Sequence, residues 1–213
     1  MKQRRKKPSF GGGLVVVGGQ CRKVGKTSLV VDLIRAFPRA RWTAVKITPY
    51  TDGGCPVRGS RCKCAPNRHT FAIREEKDRS GESDTSRFLV AGAERALWVQ
   101  SKEGRVTDAL ALLATKLSKA GNVIVESDSL TKLWKPDLYL IVLDSRRDDF
   151  KASARSALRV ADAFVRRSPA DGSRARKAAR GGSVSFLQPL GRRLPEGLQR
   201  FVMRRLGAGK HLT

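Results

Sequence analysis

The chain has 213 residues, a formal net charge of +25 and a pI of about 11.1. That length suits one α/β domain with extensions. No run of ~18 apolar residues occurs, which argues against a membrane span. The charge is uneven: residues 1–9 hold five Lys/Arg and no acid, and residues 146–213 hold 17 Lys/Arg against five Asp/Glu. Such a field attracts polyanions in a salt-dependent way. The basic stretches nevertheless lack interleaved aromatics and any nucleic-acid-binding motif. Nucleic acid bound through the tails is therefore one reading, and compositionally biased, solvated tails are the favoured other. The basic start is followed by glycines and a strand pattern rather than an apolar leader segment, so a cytoplasmic protein is expected.

In chain order, residues 1–11 form a basic tail. An apolar β-branched run predicts a strand over 14–18, and Leu29, Val30, Leu33 and Ile34 at helical spacing predict a helix over 26–37. A second strand is expected over 41–48, then a Cys-rich insertion loop over 49–81. A helix over about 84–92, a strand over 94–99, a helix over 106–119 and strands over 122–126 and 137–143 complete the alternation, followed by a helix over roughly 150–166. Strands alternating with helices indicate a mostly parallel sheet wrapped on both faces, a three-layer α/β domain over 12–167. Residues 168–183 read as a linker poor in apolar bulk, and 195–206 as a short basic amphipathic helix. Capping the domain is the favoured use of that helix over touching a membrane surface or a partner.

Between the first strand and first helix lies Gly19-Gln20-Cys21-Arg22-Lys23-Val24-Gly25-Lys26-Thr27-Ser28. Strand, glycine-containing loop and helix is the layout of a phosphate-binding loop, whose N–H groups and helix N-terminus face phosphate oxygens. Lys26 would reach the β/γ-phosphates and the Thr27 hydroxyl would hold Mg²⁺. The spacing is G-x5-G-K-T rather than G-x4-G-K-T, because position 20 is Gln. Cys21 reads as a small filler, with a lowered thiol pKa if exposed near the helix N-terminus. The ligand predicted is GTP or ATP with Mg²⁺.

Metal-assisted hydrolysis needs an acid beside the metal, and the C-terminal ends of parallel strands are where ligands bind. Glu126, ending Val-Ile-Val-Glu, is the better candidate for Mg²⁺ or water positioning, with a capping role as the alternative; Asp144 ends the next strand and faces the base or caps. Cys55, Cys62, Cys64 and His69 form a C-x6-C-x-C-x4-H series. It fits a Cys₃His zinc site, an iron–sulfur cluster, or free thiols in a loop.

The loop Gly19-x5-Gly25-Lys26-Thr27 with Val24 resembles those of dethiobiotin synthetase and the cobyrinate-type amidotransferase synthetases. Ala44-Val45-Lys46, Asp84-Thr85-Ser86-Arg87 ahead of Ala91-Gly92-Ala93, and Val125-Glu126-Ser127 resemble the molybdopterin-guanine dinucleotide biosynthesis adaptor (MobB-like) family over residues 12–145. The resemblance implies a P-loop NTPase of the SIMIBI type that hydrolyses its nucleotide slowly alongside a cofactor-biosynthesis enzyme, as a homodimer. It also implies that Asp84 and Arg87 serve near the γ-phosphate or substrate, Asp84 as a catalytic group with Lys26 and Glu126. The chain differs from that family in its longer loop, in Thr48-Pro49-Tyr50 replacing the histidines after Lys46, and in its basic C-terminal extension. Two alternatives stay open: an ATP-dependent ligase or small-molecule kinase with Lys46 on the substrate, and a nucleotide-switched metal-binding module.

Overall fold

The computed structural model describes residues 8–50, 69–147, 149, 157–169 and 184–207. The first apolar run is strand β1 (Leu14–Gly19), buried along its whole length because helices cover both of its faces. It feeds α1 (Lys26–Ala36), whose Leu29, Val30, Val31, Leu33 and Ile34 are buried at helical spacing. Next come β2 (Trp42–Tyr50), β3 (Phe71–Glu75), α2 (Asp84–Val90), β4 (Arg95–Lys102) and α3 (Thr107–Leu117). The chain continues with β5 (Asn122–Glu126), β6 (Leu138–Leu143), β7 (Ala163–Arg166), β8 (Val184–Leu187) and α4 (Glu196–Leu206).

The strands form one eight-stranded sheet in the order β3-β4-β2-β5-β1-β6-β7-β8. All neighbours are parallel except β3 and β4. Alternate side chains of each strand point to opposite faces, and the core is accordingly two clusters. One joins Val15, Val17, Leu140 and Val165 to α1, α2 and α4. The other joins Leu14, Val16, Ile141 and Phe164 to α3 and Trp134. This is the three-layer α/β architecture that the alternation predicts.

Three strands depart from expectation. Residues 163–166, expected to end a helix over 150–166, pair in parallel with β6 as β7. Phe164 and Val165 are buried in opposite layers, a placement that a pleated strand provides and a one-sided helix does not. Residues 150–156 lie outside the described residues. β3 occupies part of the expected 49–81 loop, and β8 follows the basic linker as the last strand of the sheet. The helix expected over 195–206 is α4, and it caps the core: Leu198 and Val202 are fully buried, and Phe201 packs on Phe186 of β8 with ring centroids 5.5 Å apart. Among the described residues no helix is long and apolar enough to cross a membrane.

Candidate nucleotide site

Because β1, β5, β6 and β2 run parallel, their carboxyl ends open onto one edge, where the loop after β1 meets the residues that follow β5 and β6. The loop's shape comes from its glycines. Gly25 caps α1 at φ 95°, a left-handed value that side chains disfavour. At Gly19 an added Cβ would stand 2.7 Å from Val24 Cγ1 and 2.9 Å from Lys26 Cγ, so only glycine lets the loop fold back this closely.

The extra residue in the spacing has a structural cause. Gln20 is buried, and its backbone N–H donates to the Val142 carbonyl at 3.0 Å, prolonging the β1–β6 ladder. Its amide then latches the turn after β6, donating to the Arg147 carbonyl at 2.7 Å and accepting from the Asp144 N–H at 3.0 Å. The functional loop therefore starts after Gln20. Arg22 and Lys23 are exposed at its tip, with Lys23 left-handed at φ 59°, while Val24 packs inward and Ser28 continues α1. Cys21 is buried too, and burial pushes its thiol up, against the lowering expected of an exposed thiol there.

Lys26, Thr27, Lys46, Asp84 and Glu126 converge at this edge. Thr27 Oγ1 donates to Glu126 Oε2 at 2.7 Å. Lys46 and Glu126 face each other in register across β2 and β5, and the Lys46 ammonium reaches Glu126 Oε1 at 3.1 Å, Thr27 Oγ1 at 3.4 Å, and the Asp84 carboxylate. Burial pulls the Lys46 pKa down, but the Glu126 and Asp84 carboxylates outweigh it, and the ammonium titrates above its ordinary value. Asp84 opens α2, whose Ser83 cap accepts from the Ser86 N–H, and Arg87 one turn on lies 3.7 Å from Asp84. Lys26 donates to the Cys21 carbonyl at 3.2 Å and pairs with Asp128 at 3.5 Å.

Three contributors carry no sequence signal of their own. Asp128 accepts from the Gly19 N–H at 3.0 Å besides pairing with Lys26. Arg167 follows β7, is 4% exposed, and donates to the Gly25 carbonyl at 2.6 Å and to the Gln188 side chain at 2.9 Å. Gln188 in turn donates to Asp32 of α1 at 2.7 Å. The last two strands thus brace the phosphate loop. Asp144 accepts from both Nε and Nη2 of Arg146 and from Ser168, and these bonds hold its carboxyl down at about 2. It ties turns together beside the loop and stands apart from the Lys46 cluster.

Cys55, Cys62 and Cys64 lie outside the described residues. His69 is placed, and its carbonyl accepts from the Tyr50 hydroxyl at 2.6 Å. Among the described residues no group of three or more His, Cys, Asp and Glu side chains is arranged to hold a metal.

No protein-family model matches the chain, and no curated protein matches it. Solved structures do. HypB from Helicobacter pylori, in complex with nickel, superposes with a TM-score of 0.55 at 16% identity, covering 95% of this chain and 90% of that one. LpxK from Aquifex aeolicus, in complex with ATP, gives a TM-score of 0.49 at 20% identity, and the match spans 85% of this chain and 55% of LpxK. The chain has the P-loop NTPase fold.

Proposed function

We propose that the protein binds GTP or ATP with Mg²⁺ and hydrolyses it slowly in support of cofactor assembly. The observation that supports this most is the 2.7 Å hydrogen bond joining the hydroxyl of Gly25-Lys26-Thr27 to the buried carboxylate at the end of β5. Thr27, Glu126 and Asp84 offer hard oxygen donors, and one or two carboxylates completed by phosphate oxygens is how Mg²⁺ is held at nucleotide sites. Their focus already attracts a cation, the Lys46 ammonium, so the donor set fits. Mg²⁺ held by these residues would supply positive charge against the negative charge that develops on the phosphates.

In this reading residues 21–28 cradle the phosphate chain with backbone N–H groups, because those of Gly19 and Gln20 are held by Asp128 and the Val142 carbonyl. Lys26 exchanges its Cys21 and Asp128 partners for the β/γ-phosphates. Thr27 and Glu126 hold the metal, while Asp84 and Arg87 orient water or an acceptor. Lys46 is released from its shared oxygens toward the transferring phosphoryl group. A molybdenum-cofactor enzyme is the client that the sequence resemblance favours, and a homodimer the assembly it implies. The test is Mg²⁺-dependence of nucleotide binding in the wild type, Thr27→Ala and Glu126→Gln. The wild type should tighten about tenfold or more with Mg²⁺ and the variants should not. Equal Mg²⁺-dependence in all three would remove these residues from the metal site.

A second reading, nucleotide-switched metal handling, is favoured by one contact. The Tyr50 hydroxyl donates to the His69 carbonyl, so the described residues that flank Cys55, Cys62 and Cys64 meet at the carboxyl end of β2. The solved HypB holds nickel. Metal content of the purified full chain, read by mass spectrometry, separates it from the first reading.

A further inference from the structure

The opposite end of the sheet, where the strands begin, holds a cavity of about 600 Å³. Its walls are mostly backbone: residues 11–13 on one side, Ala120 and Gly121 on the other, with Leu206 closing it from α4. The glycines are required there. A Cβ on Gly12 would stand 2.6 Å from the Gly121 carbonyl, and one on Gly13 would stand 2.6 Å from Leu206 Cδ2. Arg41, Lys119 and Arg205 sit at the rim.

The charge of this end is one-sided. The acids in the turns leading into β4, β6 and β7 are all engaged: Glu94 with Arg41, Asp137 with the Leu14 N–H, and Asp162 with Arg205 and the Tyr139 N–H. Arg39 before β2, Lys119 before β5, Arg159 before β7 and Arg204 in the last turn of α4 are exposed and have no acidic partner among the described residues.

We propose that this end of the sheet is a nucleic-acid docking surface that grips the phosphodiester backbone of a duplex without reading its bases. Unpaired cations around a recess suit a ridge of phosphates, and backbone contacts of this kind supply sequence-independent affinity. The large apolar side chains exposed among the described residues are all Val or Leu. The aromatics nearest this surface, Phe10 and Phe201, are partly buried against the core, so they offer neither an open stacking platform for unstacked bases nor an anchor for a bilayer interface. The surface lies at the far end of the strands from Lys26, so duplex and nucleotide bind independently.

The test is fluorescence anisotropy of the full chain with labelled duplexes of two unrelated sequences, in the wild type and in K119E/R204E. Both positions are exposed, and neither belongs to the nucleotide site. The wild type should bind both duplexes alike, and with roughly four phosphate contacts it should lose about 100-fold in affinity between 50 and 200 mM salt. The double variant should bind about tenfold or more weakly, with a salt slope shallower by about 2. K119Q/R204Q should fall between the two, and nucleotide affinity should hold in both variants. Unchanged duplex affinity in K119E/R204E would overturn the proposal. So would competition by Mg²⁺-nucleotide, or tighter binding to anionic phosphatidylserine vesicles than to duplex.

Discussion

The two ends of this sheet handle charge in opposite ways. At the carboxyl end the cations beside the strand ends are matched, Lys26 with Asp128, Lys46 with Glu126 and Asp84, and Arg146 with Asp144, while Arg22 and Lys23 stand exposed at the loop tip. At the amino end the acids are consumed by Arg41, Arg205 and backbone N–H groups, and further cations are left over. Matched charges make a site in which a ligand must replace an existing partner, which favours a specific, multiply coordinated anion. Unmatched cations make a diffuse field that any dense polyanion satisfies. One parallel sheet supports both because its strand ends carry different turns.

The amino end depends most on α4, which carries Arg204 and Arg205 and seals the cavity with Leu206. Leu198→Ala removes a fully buried side chain and should cost about 3 kcal/mol in a denaturant titration. It should loosen the packing of α4 on the sheet, and with it Leu206 over the cavity. A smaller loss is expected at the other end. Lys46→Met leaves the buried Glu126 without its cation and should cost about 2 kcal/mol. Lys46 titrates above its ordinary value, so its contribution is complete below the normal lysine range and fades as pH rises through the raised pKa. The alkaline limb of the wild-type stability curve should therefore be absent in Lys46→Met. The smallest effect is at Asp144, whose pKa of about 2 lies below that of an unfolded aspartate. Its contribution is present above about pH 4 and is lost as pH falls towards 2. Asp144→Asn should flatten that acid limb in pH-dependent melting.

Much of this was legible in the sequence where the signal is local. β1, the loop and α1 announce themselves in fifteen consecutive residues, and β5 and β6 are continuous apolar runs buried on both faces. Glu126 followed from its place at a strand end. β3 and β8 are not legible, because an edge strand half open to solvent has no apolar run: Phe-Ala-Ile-Arg-Glu falls inside the expected loop, and Val-Ser-Phe-Leu lies between the expected linker and helix with no element of its own. β7 was taken for helix because four residues are too few to show a period of two. Arg167 and Gln188 stayed hidden for another reason. Their partners Gly25 and Asp32 lie 142 and 156 residues away, a distance at which only the fold makes neighbours. The extra loop residue read as a departure from the motif, but Gln20 proves to be the last rung of the β1–β6 ladder.

Whether Lys26 and the loop around it bind a nucleoside triphosphate is decided by calorimetry of Mg²⁺-GTP and Mg²⁺-ATP on the wild type and Lys26→Ala. At least one nucleotide should bind near micromolar Kd, about 100-fold or more weakly in Lys26→Ala, with no loss of melting temperature. Binding of neither nucleotide, or equal binding by the two proteins, would contradict nucleotide binding by this loop.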